Sequence, residues 1–251
     1  NKNLYLNGEL LYSTDNLQEN LGSSELVVID ARGKTAYDSG HIPGAINMLF
    51  GEYKTAAGLK PVADLESQLG AAGITRDMRI VIYDNTIASW GAAGRIFWML
   101  EYLGCGRVHI LNGGWDKWTA EARSIETTAN TLPATTFASV VNDDVLATKE
   151  YIANRRTSDD FAIIDARTDE EYIGWTMYGE ARGGHITGAV QIPYEWFFSS
   201  DRTILAYDDL KALLESHGIT RDKEITAHCT AGIRSGFVYF ALRLMGYSRV
   251  S

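Results

Sequence analysis

The chain has 251 residues, 45% of them hydrophobic, and a formal net charge of −9. This length predicts one large domain or two ordinary ones with a sizeable core. The negative charge argues against nucleic-acid binding, although local arginines can still bind an anionic substrate. No stretch approaches the roughly 18 consecutive apolar residues of a membrane helix, so no membrane partner is expected. No secretory signal is recognisable, and the compartment, cytoplasmic or periplasmic, stays open.

The first half of the chain alternates predicted helices and strands. Helices are expected at residues 14–21, 62–69 and 92–103, the first with Ser13 or Thr14 as its N-cap. Strands are expected at residues 26–29, 45–48, 80–83 and 108–111. Short apolar strands between helices are typical of an α/β fold with a parallel sheet and helices on both faces.

Four segments of the first half recur in the second half in the same order. Residues 26–32 recur as 161–167, 40–45 as 184–189, 73–77 as 218–222, and 103–108 as 245–250. Such an ordered repeat predicts two copies of one domain. We place the first domain at residues 1–126, a linker rich in Thr, Ala, Ser and Asn at 127–144, and the second domain at 145–251.

Cys229 follows a predicted buried strand at residues 225–227 and precedes small residues and the helical apolar spacing of residues 236–245. A cysteine between a strand end and a helix start lies under unpaired backbone N–H groups and the positive end of the helix dipole. Both favour the thiolate, which predicts a nucleophile. Cys105 is expected to be a small buried or half-buried thiol. With two cysteines and five histidines in the chain, no metal site and no cofactor are expected.

The two copies differ where function is expected. Aligning the repeats places Asp84 opposite Cys229, so the first domain is predicted to be catalytically silent. The second copy has an insertion of nine residues, which contains or borders Trp175, Tyr178 and Arg182. The second copy also stops where the first continues with a strand and a helix. We therefore expect the natural protein to run on, and residues 145–251 to lack the final strand and helix of their domain.

These motifs resemble the rhodanese (sulfurtransferase) family in its tandem two-domain form. The resemblance rests on the Asp-Ala-Arg and Gly-His-Ile motifs of both copies, on Asn-Gly-Gly-Trp at residues 112–115, and on the loop at 229–234. It covers the chain from about Leu11 to Ser251. It implies two rhodanese-like domains, each a small parallel sheet with helices on both faces, and a catalytic cysteine in the second domain.

The resemblance implies a reaction at Cys229. Its thiolate would attack the outer sulfur of a small anionic donor, thiosulfate or 3-mercaptopyruvate, and expel sulfite or pyruvate. Loop N–H groups would hold the resulting persulfide, and a thiol or cyanide would accept its sulfur. Arg234 would stabilise the donor or the persulfide, Ser235 would add a hydroxyl donor, and a glycine would let the backbone curl around the sulfur. The expected substrate-binding and persulfide-holding loop comprises Thr230, Ala231, Gly232, Ile233, Arg234 and Ser235.

The identity of the donor stays open, with the thiosulfate type favoured. Thr230 and Ala231 stand where thiosulfate-type members often carry basic residues, and Thr230 also departs from the Cys-Gly-Ser/Ala-Gly loop of mercaptopyruvate-type members. Glu171 stands where some relatives have a substrate-binding arginine. Arg182, in the insertion, is the alternative candidate for an anion contact.

Several neighbouring residues have structural alternatives. Arg234 would equally suit an ion pair with a surface carboxylate. His228 is disfavoured as a general base, because neighbouring side chains along a strand point to opposite faces. Asp165, Arg167 and His185 recur in the first copy and are therefore expected to be structural. Aromatic side chains could line a cleft between the domains or belong to the core; these are Trp175, Tyr194, Trp196 and Phe197.

Two other functions compete with sulfur transfer by a free-standing enzyme. A cysteine phosphatase or arsenate reductase needs Cys-x5-Arg to surround a tetrahedral oxyanion, whereas Cys229 and Arg234 form Cys-x4-Arg, which suits a single sulfur atom better. A persulfide carrier in a protein sulfur relay would use the same cysteine. Turnover with small donors, as opposed to a requirement for a protein donor, separates the carrier from the enzyme.

Overall fold

The structure is a computed structural model that describes residues 5–251. Its strands are β1 (Leu11–Tyr12), β2 (Leu26–Asp30), β3 (Ile46–Asn47), β4 (Lys54–Thr55), β5 (Gly58–Leu59), β6 (Arg79–Tyr83), β7 (Val108–Leu111), β8 (Phe161–Asp165), β9 (Val190–Gln191) and β10 (Glu224–His228). Its α-helices are α1 (Thr14–Asn20), α2 (Lys34–Ser39), α3 (Val62–Ala71), α4 (Ala92–Tyr102), α5 (Gly114–Ala120), α6 (Lys149–Arg155), α7 (Asp169–Ile173), α8 (Tyr207–Ser216) and α9 (Ile233–Leu244). Short 3-10 helices lie at Gly8–Leu10, Phe50–Tyr53, Thr86–Ser89, Asp143–Val145 and Tyr194–Phe197. No helix in this range is long and apolar enough to cross a bilayer.

The first half of the chain forms a five-stranded parallel sheet in the order β1-β7-β6-β2-β3. Successive side chains of β2 point to opposite faces, as strand geometry requires. Val27 and Ile29 pack in the cluster that contains Leu65 of α3, whereas Val28 packs with Leu17 of α1 on the other face. Both faces are therefore covered by helices, and the predicted α/β fold is confirmed for this half.

The second half repeats this arrangement with a three-stranded parallel sheet in the order β10-β8-β9. Ile164 and Ile225 pack on one face with α8 and α9, and Phe161 packs with Ile152 of α6 on the other. Beyond α9, Val250 makes a parallel bridge to Ile225. That bridge corresponds in the repeat to the pairing of β7 with β6 in the first sheet.

The boundaries of most predicted elements agree with the structure, but α9 begins earlier than expected. Ser13 is the N-cap of α1, and its Oγ accepts a hydrogen bond from the Asn16 N–H at 3.0 Å, as predicted. The apolar spacing suggested that α9 starts at residue 236, yet it starts at Ile233. Gly232 has a φ of 78°, a left-handed conformation that turns the chain directly from the loop into the helix. Arg234 therefore lies in the first turn of α9.

The two halves share one continuous apolar core, because α4 of the first half packs closely against α9 of the second. The helices cross at two glycines that occupy equivalent positions in the repeat. A Cβ atom on Gly94 would lie 2.4 Å from the Phe237 Cα, and one on Gly236 would lie 2.7 Å from the Arg95 Cα. Only glycine allows this close approach of the two backbones.

The substitution Gly236→Ala is expected to lower the free energy of unfolding by about 1–3 kcal/mol, because the added methyl group overlaps the backbone of α4. This loss outweighs the roughly 1 kcal/mol by which alanine favours a helix over glycine. Urea denaturation measures the change. The control Gly106→Ala places its methyl group in open space, and equal stability of the two variants would contradict the close packing of the helices.

Candidate active site

Cys229 lies in the turn between the end of β10 and the start of α9, and its side chain is buried. Its Sγ accepts a hydrogen bond from the Gly232 N–H at 3.1 Å, and the Ser235 Oγ lies 3.5 Å away. The N-terminus of α9 thus faces the sulfur with a backbone donor and with the positive end of the helix dipole. This geometry stabilises an anionic sulfur at Cys229.

The predicted loop residues surround Cys229 with different exposures. Ala231 is exposed, whereas Thr230, Gly232, Ile233 and Ser235 are half-buried. The Thr230 Oγ1 donates a hydrogen bond to the Glu171 Oε1 at 2.8 Å. Thr230, Ala231 and Gly232 are small, and the Gly232 N–H lies close to the sulfur.

Arg234 is buried and forms a bidentate ion pair with Glu171 of α7, which is fully buried. The Nη1–Oε2 distance is 2.5 Å and the Nη2–Oε1 distance is 2.8 Å. Burial alone would raise the pKa of Glu171, but the hydrogen bonds from Arg234 and Thr230 lower it to about 2. The alternative of a surface carboxylate as the partner of Arg234 is wrong, because the partner is a buried one. The positive charge of Arg234 is therefore compensated inside the site by the Glu171 carboxylate.

The role of Glu171 was not predicted from the sequence, where it stood out only as a departure from the pattern of some relatives. A signal was present, since Thr168 and Glu171 have the spacing of a helix capping box. In the structure the Thr168 side chain caps α7, and the Thr168 N–H donates to the Glu171 Oε2 at 3.2 Å. The cap fixes the Glu171 carboxylate where it meets Arg234.

Arg182 lies on the exposed surface between α7 and β9. Within residues 5–251 its guanidinium has no hydrogen-bond or ion-pair partner, and an anion contact at Arg182 stays a prediction. Another residue of the same insertion reaches the site. The Tyr178 ring stacks edge to face on Trp90 of the first half, with 5.6 Å between centroids, and lies 5.9 Å from the Arg234 guanidinium carbon.

The first half of the chain also supplies Arg95, which is not among the site residues predicted from the sequence. Arg95 lies on α4, and its Nη1 donates a hydrogen bond to the Ala231 carbonyl at 2.8 Å. The guanidinium carbon lies 4.0 Å from the centroid of the Phe50 ring. No sequence signal marks this residue, because its counterpart in the second copy is Phe237 and its contact depends on how the two halves pack.

The residues expected to be structural pairs are confirmed as such. The Arg167 Nε and Nη2 donate to the Asp165 carboxylate at 2.9 and 2.7 Å, and Nη2 also donates to the Gly184 carbonyl. The equivalent arginine and aspartate of the first half make the same bonds. His185 stacks on Tyr172 with 3.7 Å between centroids, as its counterpart stacks on a tyrosine in the first half.

The structure places His228 and the four aromatic residues of the sequence prediction in different surroundings. His228 is half-buried, and burial lowers its pKa, so it is neutral near pH 7. Tyr194 and Phe197 belong to the core, and the Tyr194 hydroxyl donates to a backbone carbonyl of the first half. Trp175 and Trp196 are exposed, so the core alternative is wrong for these two.

Asp84 occupies the first-half position equivalent to Cys229 and is buried. Its two carboxylate oxygens accept hydrogen bonds from the Thr86 and Ala93 N–H groups at 2.7 and 2.9 Å. Burial raises its pKa to about 6, although those hydrogen bonds act in the opposite direction.

Among the described residues, no group of three or more His, Cys, Asp and Glu side chains is placed to hold a metal ion.

Asp84 is expected to make stability depend on pH. Its pKa in the folded protein is about 6, above its ordinary value of 3.8. The folded protein therefore binds this proton more tightly, and the stabilisation is lost as pH rises through this range. The free energy of unfolding of the wild type relative to Asp84→Asn should fall by up to about 3 kcal/mol from about pH 4 to pH 7. Urea denaturation across this range measures it, with the exposed Asp77→Asn as the charge control; a constant difference would contradict the raised pKa.

Comparison with known proteins defines the class. A family model described as Rhodanese-like domain matches residues 13–121 and 148–251. Thiosulfate sulfurtransferase of Pseudomonas aeruginosa is 35% identical over 249 residues, covering 96% of this chain and 90% of that protein. Thiosulfate sulfurtransferase of Azotobacter vinelandii is 37% identical over 254 residues with the same coverage. The sulfur carrier protein TtuD of Thermus thermophilus is 31% identical, covering 98% of this chain and 91% of that protein.

Solved structures agree with this class. The crystal structure of SseA from Escherichia coli, one of the 3-mercaptopyruvate sulfotransferases, has a TM-score of 0.86 and 25% identity and covers 96% of both chains. A complex of an EanB variant with ergothioneine has a TM-score of 0.82, and this chain spans 60% of its length at 24% identity, a likeness in fold alone. The chain belongs to the rhodanese family. It has the tandem form of that family, because the rhodanese-like model matches it twice.

Proposed function

We propose that Cys229 accepts a sulfane sulfur from thiosulfate or 3-mercaptopyruvate and passes it to a thiol or cyanide. The protein is an enzyme of the sulfurtransferase class, and the related thiosulfate sulfurtransferases support this reaction. One observation carries the assignment to Cys229: its Sγ accepts the Gly232 N–H at the N-terminus of α9. The site residues are Cys229 as nucleophile and the loop at residues 230–235 as the group that surrounds the sulfur.

The reaction has two steps. In the first, the Cys229 thiolate attacks the outer sulfur of thiosulfate, and the S–S bond of the donor breaks, so that sulfite leaves with the bonding electron pair. With 3-mercaptopyruvate a C–S bond breaks instead, and the pyruvate carbanion takes up a proton. In the second step a thiolate or cyanide attacks the outer sulfur of the persulfide, and the Cys229 thiolate leaves.

The loop stabilises negative charge on sulfur in both steps. The backbone donor at Gly232 and the dipole of α9 point their positive ends at the sulfur of Cys229, and the hydroxyl of Ser235, 3.5 Å away, can donate to it when the sulfur is a thiolate. These groups are already in place before the donor binds, so little reorganisation accompanies the reaction. A buried side chain at Cys229 also protects the persulfide from water.

The first domain acts as the partner of the catalytic domain without chemistry of its own at the equivalent position. Asp84 cannot form a persulfide, and its carboxylate accepts the Ala93 N–H in the first turn of α4. We propose boundaries of 1–126 for this domain, 127–144 for the linker and 145–251 for the catalytic domain. The two matches to the rhodanese-like model lie within these bounds and support them.

A persulfide carrier in a sulfur relay is the second candidate, and the likeness to the sulfur carrier protein TtuD favours it. The phosphatase alternative is disfavoured by the bidentate pairing of Arg234 with Glu171, since the Nη1 and Nη2 groups already bind a buried carboxylate. A phosphate would need that fork for itself.

Incubation with each donor, followed by intact mass and peptide mapping, tests the proposal. The expected result is a gain of one sulfur on the peptide that contains Cys229, which is lost on addition of cyanide. The compound that loads Cys229 with sulfur is thereby identified as the sulfur donor of the protein. Failure of both donors, together with hydrolysis of a phosphate ester, would overturn the proposal. Loading that occurs only from a persulfidated protein would favour the carrier over the enzyme.

A further inference from the structure

The positive charge of the loop's own arginine, Arg234, is compensated by a buried carboxylate. Arg234 is buried, and its Nη1 and Nη2 bind the Glu171 carboxylate, while Nη2 also donates to the Thr230 Oγ1 at 3.2 Å. The ion pair is neutral as a unit, so it presents little net charge to an incoming anion. A small anionic donor approaching Cys229 therefore needs a different cation.

Arg95 of the first domain provides that charge. Its Cα packs against the position of Gly236 on α9, and its Cδ would lie 3.7 Å from a Cβ on Gly232. The side chain therefore runs along the first turn of α9 to the Ala231 carbonyl, where Nη1 donates its hydrogen bond.

The guanidinium of Arg95 is held in place but has no carboxylate partner. Its face lies over the Phe50 ring, and its Nε is buried without a hydrogen-bond partner. Within residues 5–251, no carboxylate lies within ion-pair distance of it. Burial lowers the pKa of Arg95 to about 10, while the nearby Cys229 sulfur acts in the opposite direction, so the side chain stays charged at neutral pH.

We propose that Arg95 is a specificity-determining and positioning residue: from the catalytically silent domain, it supplies the uncompensated charge that draws anionic sulfur donors to Cys229. Its bond to the Ala231 carbonyl holds the loop that surrounds the sulfur, and its charge stabilises the anionic persulfide. This inference rests on the proposed function, since it names the residue that selects anionic donors for that reaction. The active site is accordingly built from both domains.

The test compares two alkylating reagents at Cys229, iodoacetate, which is an anion, and iodoacetamide, which is neutral. In both reactions the thiolate displaces iodide, so the ratio of the two rate constants reports the charge near the sulfur. A Cys105→Ser background leaves Cys229 as the remaining thiol. In Arg95→Gln the iodoacetate-to-iodoacetamide ratio is expected to fall by about tenfold, and in Arg95→Lys it should stay near the wild-type value.

Arg107→Gln, on the exposed surface of the same domain, is the matched control and should leave the ratio unchanged. Arg95→Met is a second uncharged variant that keeps the ratio readable if glutamine disturbs the fold. A wild-type ratio in both uncharged variants would overturn the inference. The ratio needs no sulfur transfer, so failure of thiosulfate and 3-mercaptopyruvate to load the wild type counts against the proposed function alone.

Discussion

Cys229→Ser is expected to abolish sulfur loading from both thiosulfate and 3-mercaptopyruvate, with a loss on the order of 10³-fold or more in turnover. The hydroxyl of serine is not ionised near neutral pH and forms no persulfide. Because serine has nearly the shape of cysteine, the free energy of unfolding should change by less than about 1 kcal/mol. Cyanide-dependent turnover and intact mass after donor treatment measure the first effect, and urea denaturation the second.

The matched control is the other cysteine. Cys105 is buried, and burial raises its pKa to about 12, so it is a poor nucleophile. Cys105→Ser should therefore load sulfur and turn over like the wild type. If added sulfur mapped to Cys105, or if Cys229→Ser kept its turnover, the assignment of the nucleophile would be wrong.

Glu171→Ala is expected to lower the free energy of unfolding by about 3–5 kcal/mol, because it leaves the buried Arg234 guanidinium without its counter-charge. It also removes the acceptor of the Thr230 hydroxyl, so the loop beside Cys229 should lose its fixed conformation and turnover should fall. Urea denaturation and turnover with thiosulfate measure the two effects.

Glu170→Ala is the control for this change, since Glu170 is exposed on the same helix and its loss should cost no more than about 0.5 kcal/mol. Equal stability of Glu171→Ala and Glu170→Ala at pH 7 would contradict the importance of the ion pair.

The ion pair of Arg234 with Glu171 also predicts that the free energy of unfolding depends on pH. The pKa of Glu171 is lowered from 4.5 to about 2 in the folded protein, so its stabilisation is present above about pH 4.5 and is lost as pH falls toward 2.

The fold was largely predictable from the sequence, because the same order of apolar strands and helices occurs in both halves of the chain. Strand β7 occurs at the predicted residues, and α4 differs from its prediction by one residue at its C-terminal end. Such elements follow from local apolar spacing. The start of α9 at Ile233 was not predicted, because its first residues lack the apolar spacing of the rest of the helix. The helix begins there since Gly232 has a left-handed conformation that turns the chain into it.

The site was predictable only as far as it is local. The position of Cys229 between a strand and a helix follows from neighbouring residues, and so do the loop residues after it. The pairing of Arg234 with Glu171 joins positions far apart in the chain, and the approach of Arg95 depends on the contact between two domains. Neither contact leaves a periodic pattern, so the sequence indicated Cys229 and Arg234 but neither the carboxylate that pairs with Arg234 nor Arg95.

The glycine crossing of α4 and α9 ties the surroundings of Cys229 to the packing of the two domains. With backbone touching backbone at Gly94 and Gly236, and a shared core on either side, the two domains pack as one unit. Any relative rotation would also separate Arg95 from Ala231. A substitution that loosens this crossing would therefore change the surroundings of Cys229 as well as the stability of the protein.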